Sequence, residues 1–211
     1  VAGPGGAQAV ARLADELNRT GARWDYRISD PTASPPYKTE RYAFLWKTSR
    51  VQLIGRPWLE QNLPETVYRE PFMGRFRIDG QTILLANFHA RRYDENPEEE
   101  IRLLARLPGP YPGDVVVIAG DFNASETSDA FQGLYKQGYS PALRNQKTTL
   151  KRSCDEGYLN HPIDNIYFPE KKIALLKADA IDFVGNCQNL EAARGISDHL
   201  PVRVDTMTPD P

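Results

Sequence analysis

The chain has 211 residues, 40% of them hydrophobic, and no repeat or low-complexity tract, so it can bury one substantial core and is neither a solenoid nor a disordered tail. No stretch approaches the ~20 apolar residues that span a bilayer, and nothing at the N-terminus has the form of a signal peptide, although Val1 is not a natural start and a leader can have been lost. Twenty-six basic against 28 acidic residues leave a formal charge of −2, which excludes a global pull toward nucleic acid; any polyanion must be met by local arginines or by a metal.

In chain order, Val10, Leu13, Ala14 and Leu17 recur at helical spacing between a glycine-rich lead-in and Gly21, which predicts an amphipathic helix over Ala7 to Asn18 packed on a sheet. Trp24 to Ile28 reads as a short strand, and the prolines from Asp30 to Pro36 make a loop that closes over Tyr37 to Glu40. Arg41 to Trp46 and Val51 to Ile54 are β-rich runs separated by four polar residues, which predicts a hairpin. Arg56 to Pro71 is a long connection of the kind that often carries function. Phe72 to Ile78 and Thr82 to His89 flank Asp79-Gly80, a strong hairpin dipeptide.

Asn96-Pro97 followed by three glutamates predicts the capped start of a helix that Pro108 stops. Val115 to Ala119 is a buried strand that delivers Asp121 and Asn123 to a surface, on one side if the extended geometry persists. Ser128 to Gln137 is a shorter helix with Gly138 as its C-terminal cap. Strands follow at Ile163 to Phe168, Ile173 to Val184 and Val202 to Asp205. No linker divides the chain, so residues 1–211 read as one domain in which strands and three helices make a mixed sheet, or two packed sheets with helices outside.

Five separated places set a polar or acidic cluster against a strand end: Glu40, Asn87/His89, Asp121/Asn123, Asp164/Asn165 and Ser197-Asp198-His199. A carboxylate beside an amide oxygen suits a hard divalent cation or a phosphate. Two of only three histidines stand in these clusters. Singly, each has an ordinary explanation as a turn residue or a hydrogen-bonded surface histidine, and His161, in an Asn-His-Pro turn, is given that bland reading.

Together, Gly120-Asp121-Phe122-Asn123, Ser197-Asp198-His199-Leu200-Pro201-Val202, Ile163-Asp164-Asn165-Ile166, Glu40-Arg41-Tyr42 and Arg69-Glu70-Pro71 resemble the endonuclease/exonuclease/phosphatase superfamily, and most of all its deoxyribonuclease I branch. The resemblance runs from about Tyr26 to Asp205. It implies an α+β fold, a four-layer α/β sandwich of two packed, mainly antiparallel mixed sheets flanked by helices. It also implies that Asp164 partners His199 and Glu40 partners His89, that Asp121, Asn123 and Asp198 hold Mg²⁺ (or Mn²⁺ or Ca²⁺), and that Arg69, Tyr37 and Asn123 contact the substrate phosphate. A carboxylate fixes the imidazole tautomer and stabilises the imidazolium, which is the chemistry a general acid or base needs. For Arg69 the competing reading is a solvated loop arginine, and Tyr37 is one residue further from Glu40 than in deoxyribonuclease I.

The activity implied is hydrolysis of a DNA phosphodiester by water. A phospholipid head group or an inositol phosphate is the second reading, and a catalytically silent module that keeps the fold is the third. Cys154 and Cys187 are nearly equidistant from Glu170-Lys171, where Ile163 to Phe168 and the strand from Ile173 are expected to turn as a hairpin; pairing would set the two thiols opposite each other. A bridge would point to an oxidising compartment, extracellular or periplasmic. It departs from deoxyribonuclease I, in which a cysteine follows the Gly-Asp-Phe-Asn motif; Ser125-Glu126 stands there in this chain. Resembling proteins begin with two further strands, the second ending in a metal-binding glutamate, so the chain is expected to be a piece whose missing strands come from a longer or cleaved chain.

Overall fold

The computed structural model describes residues 5–207. Its elements in order are α1 (Gly6–Arg19), β1 (Trp24–Ile28), β2 (Ala43–Lys47), β3 (Val51–Leu59), β4 (Phe72–Ile78), β5 (Gln81–His89), α2 (Pro97–Leu104), β6 (Val115–Asp121), α3 (Gln132–Tyr135), β7 (Tyr139–Pro141), β8 (Asp164–Pro169), β9 (Ala174–Ala180), α4 (Leu190–Arg194) and β10 (Val202–Met207). By hydrogen bonding the strands form one six-stranded sheet of order β3-β4-β5-β6-β8-β7 and two pairs, β1-β2 and β9-β10. This is the α+β, largely antiparallel architecture expected. The chain falls into two compact units: the first runs to Ala90 and resumes over Arg106–Ile118, and the second comprises Arg91–Ala105 and the chain from Ala119.

In the first unit, β4 and β5 pair in register from Phe72↔Asn87 to Ile78↔Gln81. Asp79 and Gly80 close that hairpin with φ of 47° and 84°, the two positive values that a type I′ turn requires. The expected hairpin of β2 with β3 is not formed. β2 pairs antiparallel with β1, and β3 pairs with β4. The reason lies in the aromatic side chains of β2: the Phe44 ring stacks on Phe72 at 4.9 Å and meets Phe76 edge-on at 5.2 Å, while Trp46 meets Phe76 at 5.5 Å. β2 therefore lies across the face of β4 and cannot also pair at an edge. Gly74 makes room for this packing, since a Cβ there would sit 2.7 Å from both Phe44 and Phe76. The long connection is also shorter than expected, because β3 continues through Trp58↔Met73 and Leu59↔Phe72 after an irregularity that accommodates Pro57. α1 buries Val10 and Ala14 against this unit and lies along β1.

The second unit is built on an aromatic cluster. Phe122 meets Tyr167 edge-on at 5.0 Å and Phe131 at 5.5 Å, and Phe131 stacks on Tyr167 at 4.5 Å; all three are fully buried. The helix expected over Ser128 to Gln137 is broken into a 3₁₀ turn at Asp129–Phe131 and the single turn α3, with Ser128 as N-cap and Gly138 (φ 79°) closing the end. Asn96 does precede α2, but it adopts left-handed φ of 56° and makes no side-chain cap. The hairpin expected of β8 with β9 is likewise not formed. β8 pairs with β7, β9 pairs with β10, and β10 packs on β8. The tight turn after Pro169, which accepts hydrogen bonds from Lys172 and Ile173, passes the chain from one sheet to the other.

Cys154 and Cys187 are nevertheless bonded, 5.7 Å apart at Cα. What joins them is not strand pairing. Cys154 packs on a buried cluster of Leu150, Val184, Leu190, Ala193 and Leu200, and Cys187 begins the turn that leads into α4, which supplies two members of that cluster. Among the described residues, no helix is long and apolar enough to cross a membrane.

Candidate active site

Each unit carries one histidine–carboxylate pair. In the first, β5 ends at His89, whose Nδ1 lies 2.8 Å from Glu40 Oε2. The backbone N–H of His89 donates to Tyr42 Oη at 3.2 Å. Arg69 is 7% exposed and is no solvated loop arginine: it donates from Nη1 to the carbonyls of Ala90 (2.8 Å) and His89 (3.4 Å), and its Nε is 3.4 Å from Glu40 Oε1. Burial alone would raise the Glu40 carboxyl, but the hydrogen bond and charge of His89, with Arg69 behind them, outweigh it and hold the group below the usual range. Tyr37 is 85% exposed, with the Lys38 ammonium 5.9 Å from its ring. The structure brings Glu40, His89 and Arg69 together and leaves Tyr37 outside that group.

In the second unit, His199 Nδ1 lies 2.9 and 3.0 Å from the two oxygens of Asp164, and its Nε2 faces Asp121 Oδ2 at 3.9 Å. The hydrogen bond to Asp164 is the main reason that the imidazolium is favoured, with desolvation opposing it and the charges of Asp164, Asp121 and Asp198 adding to it; the pKa is pushed up to about 9. Donor atoms of Asp121, Asp164 and His199 all lie within 4.8 Å of one another, a cluster with two hard carboxylates that fits a divalent cation. β6 ends at Asp121 because Phe122 donates to the Ile163 carbonyl and Asn123 turns into left-handed φ of 49°, its N–H donating to Asp121 Oδ1. Extended geometry therefore stops before Asn123, and an asparagine tolerates that turn at little cost. The Asp198 side chain is 64% exposed and stands 4.0 Å from Arg194. Asn165 is structural: its side chain bridges the N–H and carbonyl of Leu143.

Sequence reasoning missed Thr148. Its Oγ1 donates to Asp164 Oδ2 at 2.6 Å and accepts from the N–H groups of Ile163 and Asp164, so it holds the carboxylate that holds His199. Residues 148–150 also form a backbone spine, with Leu200 N–H donating to Thr148, Leu150 N–H donating to Asp198, and Thr148 and Thr149 N–H donating to His161. That spine fixes the loop bearing His199, together with the Ser197 hydroxyl, which bonds both the N–H and the carbonyl of His199. A pair of threonines in a loop carries no periodic signal, which is why only the folded contacts disclose it.

The sequence model described as the Endonuclease/Exonuclease/phosphatase family matches residues 4–199. The chain belongs to that family. It is 31% identical over 219 residues to a protein named deoxyribonuclease from Thioalkalivibrio sp. (strain K90mix), and the match covers 94% of this chain and 59% of that relative. Among solved structures, a family protein from Bacteroides thetaiotaomicron superposes with a TM-score of 0.68 at 16% identity, covering 95% of this chain and 80% of the other. A mannosyl-6-phosphatase of the same organism gives 0.64 at 15% identity, covering 93% and 82%. The sequence relative is thus named as a nuclease, and one of the structures with a similar fold is named as a phosphatase.

Proposed function

We propose that the chain is the hydrolytic domain, or part of it, of a nuclease that cleaves DNA phosphodiester bonds with a divalent cation. The observation that carries this reading is the Asp121–Asp164–His199 cluster, in which a histidine locked by one carboxylate faces a second. The family match across residues 4–199 supports treating both units as one domain, and the relative named deoxyribonuclease supports the substrate. Phospholipid head groups, inositol phosphates and sugar phosphates are the competing substrates.

In this reading Asp121 and Asn123, with Asp198, would hold Mg²⁺, Mn²⁺ or Ca²⁺, which would supply charge neutralisation at the phosphoryl oxygens. Asp164 accepts from His199 Nδ1, so the proton that can be exchanged with substrate sits at Nε2. Without the ion, the hydrogen bond to Asp164 pushes the His199 pKa up to about 9, and an imidazolium held in this way suits stabilising or protonating an oxygen of the phosphate. Glu40 orients His89 in the same way, and the buried Arg69 keeps Glu40 ionised and in place. Tyr37 and Asn123 remain the candidates for phosphate contact. The bonded cysteines fit secretion to an oxidising compartment, extracellular or periplasmic. Supercoiled plasmid, a lipid phosphodiester and an inositol phosphate, each offered with Mg²⁺ and with chelator, test the reading: nicking of plasmid in Mg²⁺ alone is expected, and turnover confined to either of the other two refutes it.

A further inference from the structure

Beside His199, the second unit holds a pocket of about 330 Å³, the size of a small-ligand site. Lys151, Arg152, Arg194 and Tyr93 are among the residues that line it, together with Asp198 and His199. Three fixed cations meet one acid there, on a chain whose overall charge is −2. A local excess of this kind draws a polyanion that the molecule as a whole does not attract. The pocket is also built. Arg194 donates from Nη1 to the carbonyls of Leu150 and Lys151 at 2.9 and 3.2 Å, and Lys151 Nζ donates to the carbonyl of Asp155 at 2.6 Å. The disulfide at Cys154, two residues past Arg152, ties this segment to Cys187 at the entry to α4, the helix that ends in Arg194. Tyr93, 75% exposed, brings an aromatic ring to the lining of the same pocket.

We propose that this pocket is a strand-binding subsite, taking a backbone phosphate of the nucleic acid chain that adjoins the scissile bond on Lys151 and Arg152, and stacking the neighbouring base on Tyr93. The inference rests on the nuclease reading. Cations along a backbone combined with an aromatic platform are the chemistry by which single strands are held without sequence preference. Asp198 and His199 in its lining make the subsite contiguous with the hydrolytic cluster, so a strand seated here leads its next phosphodiester to His199.

Binding of a short labelled single-stranded oligonucleotide in chelator, read by fluorescence anisotropy across a salt series, tests this without turnover. Each phosphate neutralised on a single strand contributes about 0.7 to the slope of log affinity against log salt, so Lys151→Ala/Arg152→Ala, which removes the one phosphate contact, is expected to lower that slope by about 0.7. Tyr93→Ala is expected to weaken binding at least about fivefold with the slope kept, and an oligonucleotide abasic at the stacked position should erase the difference. Lys136→Ala/Lys171→Ala, on exposed positions elsewhere in the unit, serves as the charge-matched control and should keep the wild-type slope. If the oligonucleotide is bound and, with Mg²⁺, cut, yet the Lys151/Arg152 variant keeps the wild-type slope, the subsite is refuted and the nuclease reading stands. If the wild-type protein binds no oligonucleotide while hydrolysing a lipid or inositol phosphoester, the nuclease reading falls and the subsite with it.

Discussion

Asp164 serves two partners at once, Thr148 Oγ1 at 2.6 Å and His199 Nδ1 at 2.9 Å, and the titration of His199 reports on both. The pKa of His199 in the fold, about 9, lies above its ordinary 6.5. The stabilisation from the pair is therefore fully present below pH 6.5 and is lost as the pH rises through about 9. Imidazole NMR of the metal-free protein should show that titration near 9, and in Asp164→Asn it should return toward 6.5; a histidine still titrating near 9 in that variant would remove Asp164 as the cause. Thr148→Val keeps the shape but takes a hydrogen bond from a carboxylate, and a loss of about 1.5–3 kcal/mol is expected in denaturant unfolding. Asp121→Ala, Asp164→Ala, His199→Ala and His89→Ala are each expected to lower kcat by ~10²–10⁴ with an unchanged circular dichroism spectrum. Near-normal kcat in His199→Ala overturns the mechanism.

At the scale of elements, the packing of β2 across β4 makes Gly74 a sensitive position. The rings of Phe44 and Phe76 each come within 2.7 Å of where a Cβ would stand, and both are wedged among other aromatics. Gly74→Ala should cost ~1–3 kcal/mol through overpacking, measured as a lower denaturant midpoint with unchanged m-value. A variant as stable as the wild type would mean that β2 moves freely off the sheet. The second sensitive element is the segment tied by Cys154–Cys187, 33 residues apart in sequence. In the chain-entropy picture a closed loop of this length is worth about 4 kcal/mol. Reduction is thus expected to lower the melting temperature and to weaken oligonucleotide binding, since the same bond steadies the stretch that bears Lys151 and Arg152. Thiol titration of denatured, unreduced protein should find no free thiol.

At the scale of the molecule, a near-neutral chain offers no long-range attraction to a polyanion, so affinity must come from local cations and from the divalent ion. Salt dependence should accordingly be modest and set by a few phosphate contacts, while chelator abolishes turnover and Mg²⁺ restores it. Activity that persists in chelator would rule out the role given to Asp121. The chain spans 59% of the length of the curated relative it matches.

Local chemistry was legible in the sequence. The β4–β5 hairpin follows from Asp79-Gly80, whose residues reach positive φ at little cost, and β6 follows from a β-branched run that only a strand covered on both faces would use. The two histidine–carboxylate pairs were legible only through the resemblance, because 49 and 35 residues separate their members and no spacing rule joins them. What the tertiary structure alone decided was partnership. β2 and β3, like β8 and β9, are neighbours along the chain yet enter different sheets, since the side chains of β2 gain more by covering β4 than by pairing beside β3, and β9 finds its partner in β10. The cysteine bond was expected for the wrong reason: a buried cluster under α4, not a hairpin, brings the thiols together. Thr148 behind Asp164 and the burial of Arg69 behind Glu40 belong to the same class of fact. Hydrophobic pattern and turn residues specify which segments are strands, but which face meets which is settled by side-chain packing between residues far apart in sequence, and that information exists only once the chain has folded.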